Sequence, residues 1–175
     1  MLIQGASGGV GTWAVQIAKQ LGAVVTAVCS TAKAEQARSL GADQVIDYTR
    51  ETLATAEARF DVILAVNGYH PIRVYRRLLT PSGRYVSIGG SGAQMFQGVL
   101  LGPLLSRRGG KTLHSHLAQP KREDLETIAA WIEAGRVRPA IDRVVDGLGA
   151  APGALRYLGG GHAKGKVVVR VKPSA

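Results

Sequence analysis

A glycine-rich turn near the amino terminus carries the strongest chemical signal in the sequence. Its residues have the A-x-G-x-x-G spacing of dinucleotide-binding turns and are Ala6, Ser7, Gly8, Gly9, Val10 and Gly11. Gly8 would let the backbone approach a diphosphate, and Gly11 would let the following helix pack against the preceding strand. The free N–H groups and the dipole at the helix start would attract phosphate. We therefore predict a dinucleotide-binding turn; a glycine-rich turn without a ligand is the alternative.

The end of the next strand indicates which dinucleotide would fit. NAD-binding sites usually place Asp or Glu there, about twenty residues beyond the glycines, on the ribose 2′-hydroxyl. This sequence has no acidic residue between positions 28 and 33 and offers Ser30, Thr31 and Lys33 instead. Two hydroxyls and an ammonium suit a 2′-phosphate, and one charge-assisted contact contributes about 1.5–3 kcal/mol. We predict NADP(H) as the cofactor; the alternative for Lys33 is a solvated helix lysine.

The pattern of elements around this turn predicts an α/β fold. Short apolar runs of strand length alternate with amphipathic helices, the strands at residues 1–4, 23–28, 44–47, 61–66, 84–88 and 111–117 and the helices at 9–21, 31–40, 71–79 and 120–135. Such alternation predicts a Rossmann-type, doubly wound parallel sheet of about six strands. We assign residues 1–135 to this dinucleotide-binding domain and residues 136–175 to a carboxyl-terminal segment in which the alternation weakens.

Two helices are predicted to have an inward apolar face. On the first helix this face consists of Val10, Ala14, Ile17, Ala18 and Leu21, and on the last helix of Leu125, Ile128, Ala129 and Ile132. Residues three and four positions apart lie on the same side of a helix, which is the basis of both predictions.

Composition excludes several classes of protein. With 46% hydrophobic and 19% charged residues, the 175-residue chain is not of the disordered type. A single cysteine, Cys29, forms neither an intrachain disulfide nor a cysteine-cluster zinc site. The uncharged runs 1–18 and 85–106 are interrupted by glycines, so we predict no membrane span and expect a cytoplasmic protein.

The basic excess of the chain supports a different hypothesis, nucleic-acid binding. The formal net charge is +10, and basic residues cluster at Arg73, Arg76, Arg77, Arg107, Arg108 and Lys111. Aromatic residues make up only 5%, so stacking surfaces for bases are scarce. We therefore predict a solvated surface that steers anionic cofactors, and no nucleic-acid partner.

Metal and acid–base chemistry have weaker signals. His114 and His116 would share one face of a strand but have no third ligand near them in sequence, so no metal site is predicted. The sequence contains no G-x-S-x-G or P-loop motif, and no catalytic residue is identified.

Three segments together resemble the medium-chain dehydrogenase/reductase superfamily, above all its zinc-independent quinone oxidoreductase-like branch. They are IQGASGGVGTWAVQIAK, LGADQVIDY and GHAKGKVVV, and the likeness extends from Met1 to about Val171. The resemblance implies that Tyr48 packs near the adenosine ribose and phosphate. It also implies nicotinamide-side contacts from Asn67, Gly68, Ser87, Ile88, Gly89, Gly165 and Lys166.

The resemblance also implies an activity and a partner. Family members transfer a hydride between a nicotinamide and a quinone, enone, aldehyde or alcohol, and they often dimerise through the strand that corresponds to residues 111–117. They begin with a GroES-like catalytic domain that the sequence lacks, so we expect a truncated chain carrying the cofactor-binding portion of an NADP(H)-dependent oxidoreductase. The alternative is a non-catalytic NADPH-binding or dimerisation module.

Overall fold

The sheet in the computed structural model has the order expected for a dinucleotide-binding fold. The structure describes residues 1–66, 68–89, 106, 110–116 and 119–171. Six strands form one parallel sheet: β1 (Leu2–Gln4), β2 (Thr26–Cys29), β3 (Gln44–Asp47), β4 (Phe60–Val66), β5 (Leu79–Ile88) and β6 (Thr112–Ser115). Their order in space is β3-β2-β1-β4-β5-β6, which confirms the predicted six-stranded Rossmann-type architecture.

The remaining elements cover this sheet and extend beyond it. The helices are α1 (Gly11–Gln20), α2 (Ala34–Ser39), α3 (Ile72–Leu78), α4 (Arg122–Glu133) and α5 (Ala151–Gly159). Short 3₁₀ turns lie at Thr31–Lys33 and Leu148–Ala150. In the carboxyl-terminal segment, β7 (Ile141–Asp146) and β8 (Lys166–Arg170) form a separate parallel pair.

Two strand starts differ from the prediction for local reasons. Strand β2 begins at Thr26 rather than at residue 23, because Ala23 N–H donates to Ala18 and Val25 N–H donates to the Asp43 carboxylate at 2.7 Å. Strand β5 begins at Leu79 rather than at residue 84, and an irregular register between Phe60 and Val62 of β4 accommodates the additional residues.

The core consists of two apolar layers, one on each face of the sheet. Successive strand residues point to opposite faces, so Leu2 packs with Tyr75 and Leu78 of α3, whereas its neighbour Ile3 packs with Val15 of α1. Both β1 residues are fully buried. Burial on both faces explains why most residues of the central strands are apolar.

The predicted inward faces of α1 and α4 are partly wrong. Val10 is 48% exposed and Leu21 is 73% exposed, because α1 begins after Val10 and ends before Leu21. The buried side chains of α1 include Thr12, Val15 and Gln16 instead. Helix α4 has no buried residue, and Leu125 of its predicted inward face is 62% exposed. Ile128 and Trp131 are the two half-buried residues of α4, so its apolar face is covered only in part.

The start of the carboxyl-terminal segment is bound to α1 through a buried amide. Gln16 Nε2 donates to the Arg138 carbonyl at 2.9 Å, and Arg138 N–H donates back to Gln16 Oε1 at 2.8 Å. Val137 beside them is 2% exposed. Residues 136–138 are thus docked on the sheet layer immediately after the predicted domain boundary at residue 135.

We expect Gln16→Ala to lower the free energy of unfolding by about 1–3 kcal/mol, because it leaves both backbone groups of Arg138 without their partner. Urea denaturation measures this loss, and hydrogen exchange should show faster exchange of residues 136–140. Gln20→Ala is the matched control, since Gln20 makes one longer bond, 3.3 Å, to the Arg136 carbonyl. Equal stability of the Gln16→Ala variant and the unmodified chain would contradict this account.

Candidate functional site

A crevice of about 560 Å³ opens where the central strands end, within the range typical of small-molecule sites. The turn between β1 and α1 forms one wall, and Val28 and Cys29 of β2 form another. Tyr48 follows β3, Tyr69 follows β4, and Ala163 belongs to the carboxyl-terminal segment. Ligands of open α/β sheets bind at this edge, where the chain direction of the crossovers switches.

The glycine turn is packed too tightly for side chains at two positions. At Gly5, where φ is +74°, a Cβ would lie 2.3 Å from the Val66 carbonyl oxygen. At Gly11 a Cβ would lie 2.0 Å from the Gly5 oxygen. The first contact holds the turn against β4, and the second lets α1 start directly over the end of β1. At Gly8 a Cβ would be 3.8 Å from its nearest neighbour, so this position borders open space.

The start of α1 leaves main-chain donors available to a ligand. Thr12 N–H is bonded to the Gly8 carbonyl at 3.0 Å, but the N–H groups of Gly9 and Val10 have no backbone acceptor in the described part of the chain. Val10 stands at the N-cap position and provides no side-chain cap. Unpaired donors at a helix start, together with the helix dipole, favour an anion.

A lysine from the other end of the chain lies over the same turn. Lys166 Nζ is 3.1 Å from the position that a Cβ on Gly9 would occupy. Its neighbour Gly165 is buried against Ala140, whose carbonyl oxygen would be 2.2 Å from a Cβ there. The crevice continues into a second cavity of about 350 Å³ that both residues line. Lys166 therefore adds positive charge beside the open amides.

The residues predicted to select the cofactor have protein partners. Lys33 lines the crevice, and its Nζ donates to the Ala163 carbonyl at 3.0 Å. Thr31 Oγ1 donates to the Asp47 carboxylate. Ser30 is half-buried at the start of the 3₁₀ turn and makes no capping hydrogen bond. A 2′-phosphate at this position would compete with the Ala163 carbonyl for Lys33. It would also lie near the Asp47 carboxylate, which accepts the hydrogen bond of Thr31.

Asp47 is a charged residue of this region that sequence reasoning missed. It lies at the end of β3, opposite Cys29 in the register of β2. The Thr31 hydroxyl and the Thr49 hydroxyl, the latter at 2.6 Å, lower the pKa of Asp47 to about 2. The sequence signal was present, since an acid at a strand end is a usual ribose contact, but it follows β3 rather than β2.

An aromatic pair and an amide close the crevice on the α3 side. The rings of Tyr48 and Tyr69 meet edge to face, with centroids 6.0 Å apart. Burial raises the pKa of Tyr69, and the Gln4 amide beside its hydroxyl, which sequence reasoning also missed, partly offsets that rise. Burial also raises the pKa of the Cys29 thiol, which is 1% exposed and packs in the α1 layer of the core. The α3 side of the crevice is therefore formed by two aromatic rings and an amide.

The remaining predicted site residues lie beyond the main crevice. Gly68 follows β4 and is buried, and Ser87 Oγ at the end of β5 donates to the Gly89 carbonyl at 3.2 Å. Ile88 between them is half-buried, and Asn67 falls outside the described residues. The structure thus brings the turn, Lys33 and Tyr48 together around one crevice, with Lys166 in the adjoining cavity, and leaves the β5 residues at the next strand end.

Comparison with known proteins agrees with this geometry. A family model described as zinc-binding dehydrogenase matches residues 40–169. NAD(P)H oxidoreductase RTN4IP1, mitochondrial, of Mus musculus is 37% identical over 97% of this chain and 47% of its own length. Trans-enoyl reductase pgmF of Aspergillus terreus is 33% identical over 98% of this chain and 51% of its own.

A solved structure gives the same result. The quinone oxidoreductase from Coxiella burnetii superposes with a TM-score of 0.82 at 27% identity, over 98% of this chain and 52% of that chain. These matches confirm the family resemblance that the three sequence segments indicated. The chain spans about half the length of the curated relatives it matches.

We expect Asp47→Asn to lower the thermal midpoint at pH 7 and to lose this effect in acid. The folded-state pKa of about 2 lies below the ordinary 3.8, so the carboxylate stabilises the fold above about pH 4. That stabilisation disappears as the pH falls towards 2. Melting curves of both proteins between pH 7 and pH 2 should therefore converge. Asp124→Asn, which removes an exposed carboxylate of α4, is the control; a constant difference for Asp47→Asn would contradict the assignment.

Proposed function

We propose that this chain, which belongs to the zinc-binding dehydrogenase family of the medium-chain dehydrogenase/reductase superfamily, forms the cofactor-binding portion of an NADP(H)-dependent oxidoreductase. The observation that carries the proposal is a pair of amides, Gly9 and Val10, at the start of α1 and beside the crevice, for which the described residues provide no acceptor. The names of the relatives support an oxidoreductase, and one of them names NAD(P)H.

Binding of the diphosphate is assigned to the turn from Ala6 to Gly11. The amides of Gly9 and Val10 donate to its oxygens, and Lys166 supplies a positive charge next to Gly9. Ser7 of this turn is buried and lines the crevice. When bound, the nicotinamide supplies the hydride chemistry, and the protein has to hold and orient it.

Selection of NADP(H) is assigned to Lys33 and Ser30. Lys33 lines the crevice, and no acidic residue ends β2 to bind a ribose 2′-hydroxyl. Lys33 would exchange its bond to the Ala163 carbonyl for a charge-assisted contact with the 2′-phosphate. Tyr48 would flank the adenosine ribose from the end of β3.

The nicotinamide ring is assigned to the ends of β4 and β5. These strand ends carry four of the predicted contacts, Gly68, Ser87, Ile88 and Gly89. They lie on the opposite side of β1 from β2, the strand that Lys33 follows. The substrate is proposed to be a quinone, enone, aldehyde or alcohol. Relatives named as a quinone oxidoreductase and a trans-enoyl reductase support the first two classes.

The family name raises the question of zinc. A zinc site needs about four nitrogen, sulfur or oxygen ligands, and the described residues contain no group of three or more His, Cys, Asp or Glu that could hold a metal. His114 and His116 are exposed at β6 and far in sequence from Cys29. The residues of the described part therefore do not fit a zinc site.

The cytoplasm is kept as the proposed location, although one relative is named as mitochondrial. Among the helices that the structure describes, none is long and apolar enough to cross a membrane. The basic surface is proposed to attract the anionic cofactor rather than nucleic acid.

We expect Lys33→Glu to weaken NADPH binding at least tenfold, since it replaces an attraction to the 2′-phosphate with a repulsion. NADH lacks that phosphate and should lose much less. Calorimetric titration of both cofactors measures the two dissociation constants. The control is Lys121→Glu, which makes the same charge change at an exposed site before α4. Equal losses of NADPH and NADH affinity would contradict the NADP(H) assignment.

The alternative of a non-catalytic binding module is tested by following NADPH oxidation in the presence of a quinone. Oxidation by this chain indicates an active enzyme, and binding without oxidation indicates a binding module.

A homodimer through β6 is proposed as the partner arrangement, because β6 is an edge of the six-stranded sheet. Along a strand, the backbone N–H and C=O groups of successive residues point alternately to the two neighbouring strand positions. The backbone groups of Leu113 point away from β5, because its N–H donates to Ser106 Oγ at 2.9 Å. The backbone N–H and C=O of Ser115, two residues further along, therefore also point away from β5, towards the position of a partner strand.

Light scattering should give twice the 18.4 kDa chain mass. Ser115→Pro removes the outward N–H and should give a monomer, whereas Ser115→Ala should stay dimeric. A monomeric unmodified chain would refute the dimer.

A further inference from the structure

Gln4 is a polar residue in a position where the rest of the strand is apolar. It is the last residue of β1, the strand between β2 and β4, and its register partners are Val28 and Ala65. Leu2 and Ile3 before it are fully buried, and Gln4 itself is 2% exposed. A leucine or methionine would satisfy the packing of such a site, so the amide needs another explanation.

One end of this amide has no partner. The Gln4 side chain lies beside the Tyr69 hydroxyl, but its Oε1 is buried and accepts no hydrogen bond from any described residue. Buried polar atoms are nearly always paired in folded proteins, and an unpaired one lowers stability. Exceptions to the rule that buried polar atoms are hydrogen-bonded occur mostly at functional sites.

The position of the amide indicates what it would meet. Gln4 lines the crevice together with Gly8 of the glycine turn and with Val66 and Tyr69 at the end of β4. A dinucleotide in this fold crosses the β1 end with its diphosphate and extends to either side. Lys33 and Tyr48 mark the adenosine side, so the β4 side next to Gln4 is that of the nicotinamide ribose.

We propose that Gln4 is a recognition residue for the nicotinamide-side ribose, its free amide end forming a hydrogen bond with a ribose hydroxyl. The inference rests on the proposed function. A hydroxyl both donates and accepts, so the pairing holds for either orientation of the amide. Ribose is present in both nicotinamide cofactors, and Gln4 therefore contributes to affinity without selecting between them.

The test is Gln4→Met, which keeps the length and removes the polar atoms. We expect the dissociation constants of NADPH and NADH to rise by the same factor, about tenfold. Binding of 2′,5′-ADP, which has the adenosine half alone, should be unchanged. The thermal midpoint of the unliganded variant should not fall, because an unpaired buried atom has been removed. Gln20→Met, at an exposed amide of α1, should change none of these quantities.

Each result separates this inference from the proposed function. Unchanged affinity for NADPH, or an equal loss for 2′,5′-ADP, would overturn the role of Gln4 alone. Failure of the unmodified chain to bind NADPH, NADH and 2′,5′-ADP would overturn the proposed function and the inference with it. Should the variant not fold, NMR of the unmodified chain decides: the Gln4 side-chain amide signals should shift with NADPH and not with 2′,5′-ADP. Shifts with both ligands or with neither would refute the proposal.

Discussion

The close approach of the β1–α1 turn to β4 is the constraint on which the site depends. A side chain at Gly5 would overlap the Val66 carbonyl, and one at Gly11 would overlap Gly5 itself. Only a turn without these side chains can start α1 directly above the end of β1. That geometry leaves the amides of Gly9 and Val10 beside a crevice and without an acceptor among the described residues, and unpaired amides at a helix start are a site for phosphate.

Residues far apart in sequence complete this site. Lys166 of β8 lies over Gly9, and the Ala163 carbonyl holds Lys33 across the crevice. Gln16 binds the backbone of Arg138 and so fixes the path by which the chain returns. The carboxyl-terminal segment therefore lines the proposed cofactor site, although its own sheet of β7 and β8 is separate from the main one. Leu155 of this segment, which is 67% exposed, lines neither of the two cavities.

Sequence reasoning predicted correctly the features that depend on neighbouring residues alone. The glycine spacing, the strand at 44–47 and the alternation of strands and helices all belong to this class. It failed where distant partners decide. The hydrogen bond of the Thr31 hydroxyl to Asp47, sixteen positions away, was not foreseen, and the predicted phosphate contact of Thr31 stays a prediction. Gln4 was overlooked because periodicity alone makes it part of a buried strand, and Leu125 was placed inward because an amphipathic pattern does not say whether a partner surface exists.

The most direct test of the account follows the backbone amides of the glycine turn during a titration with NADPH. The account predicts that the ¹⁵N–¹H signals of Gly9 and Val10 shift most among the turn residues, and that they saturate together with those of Gly8 and Gly11. Saturable binding of NADPH that leaves the signals of Gly9 and Val10 unmoved would contradict it, because the diphosphate would then lie elsewhere.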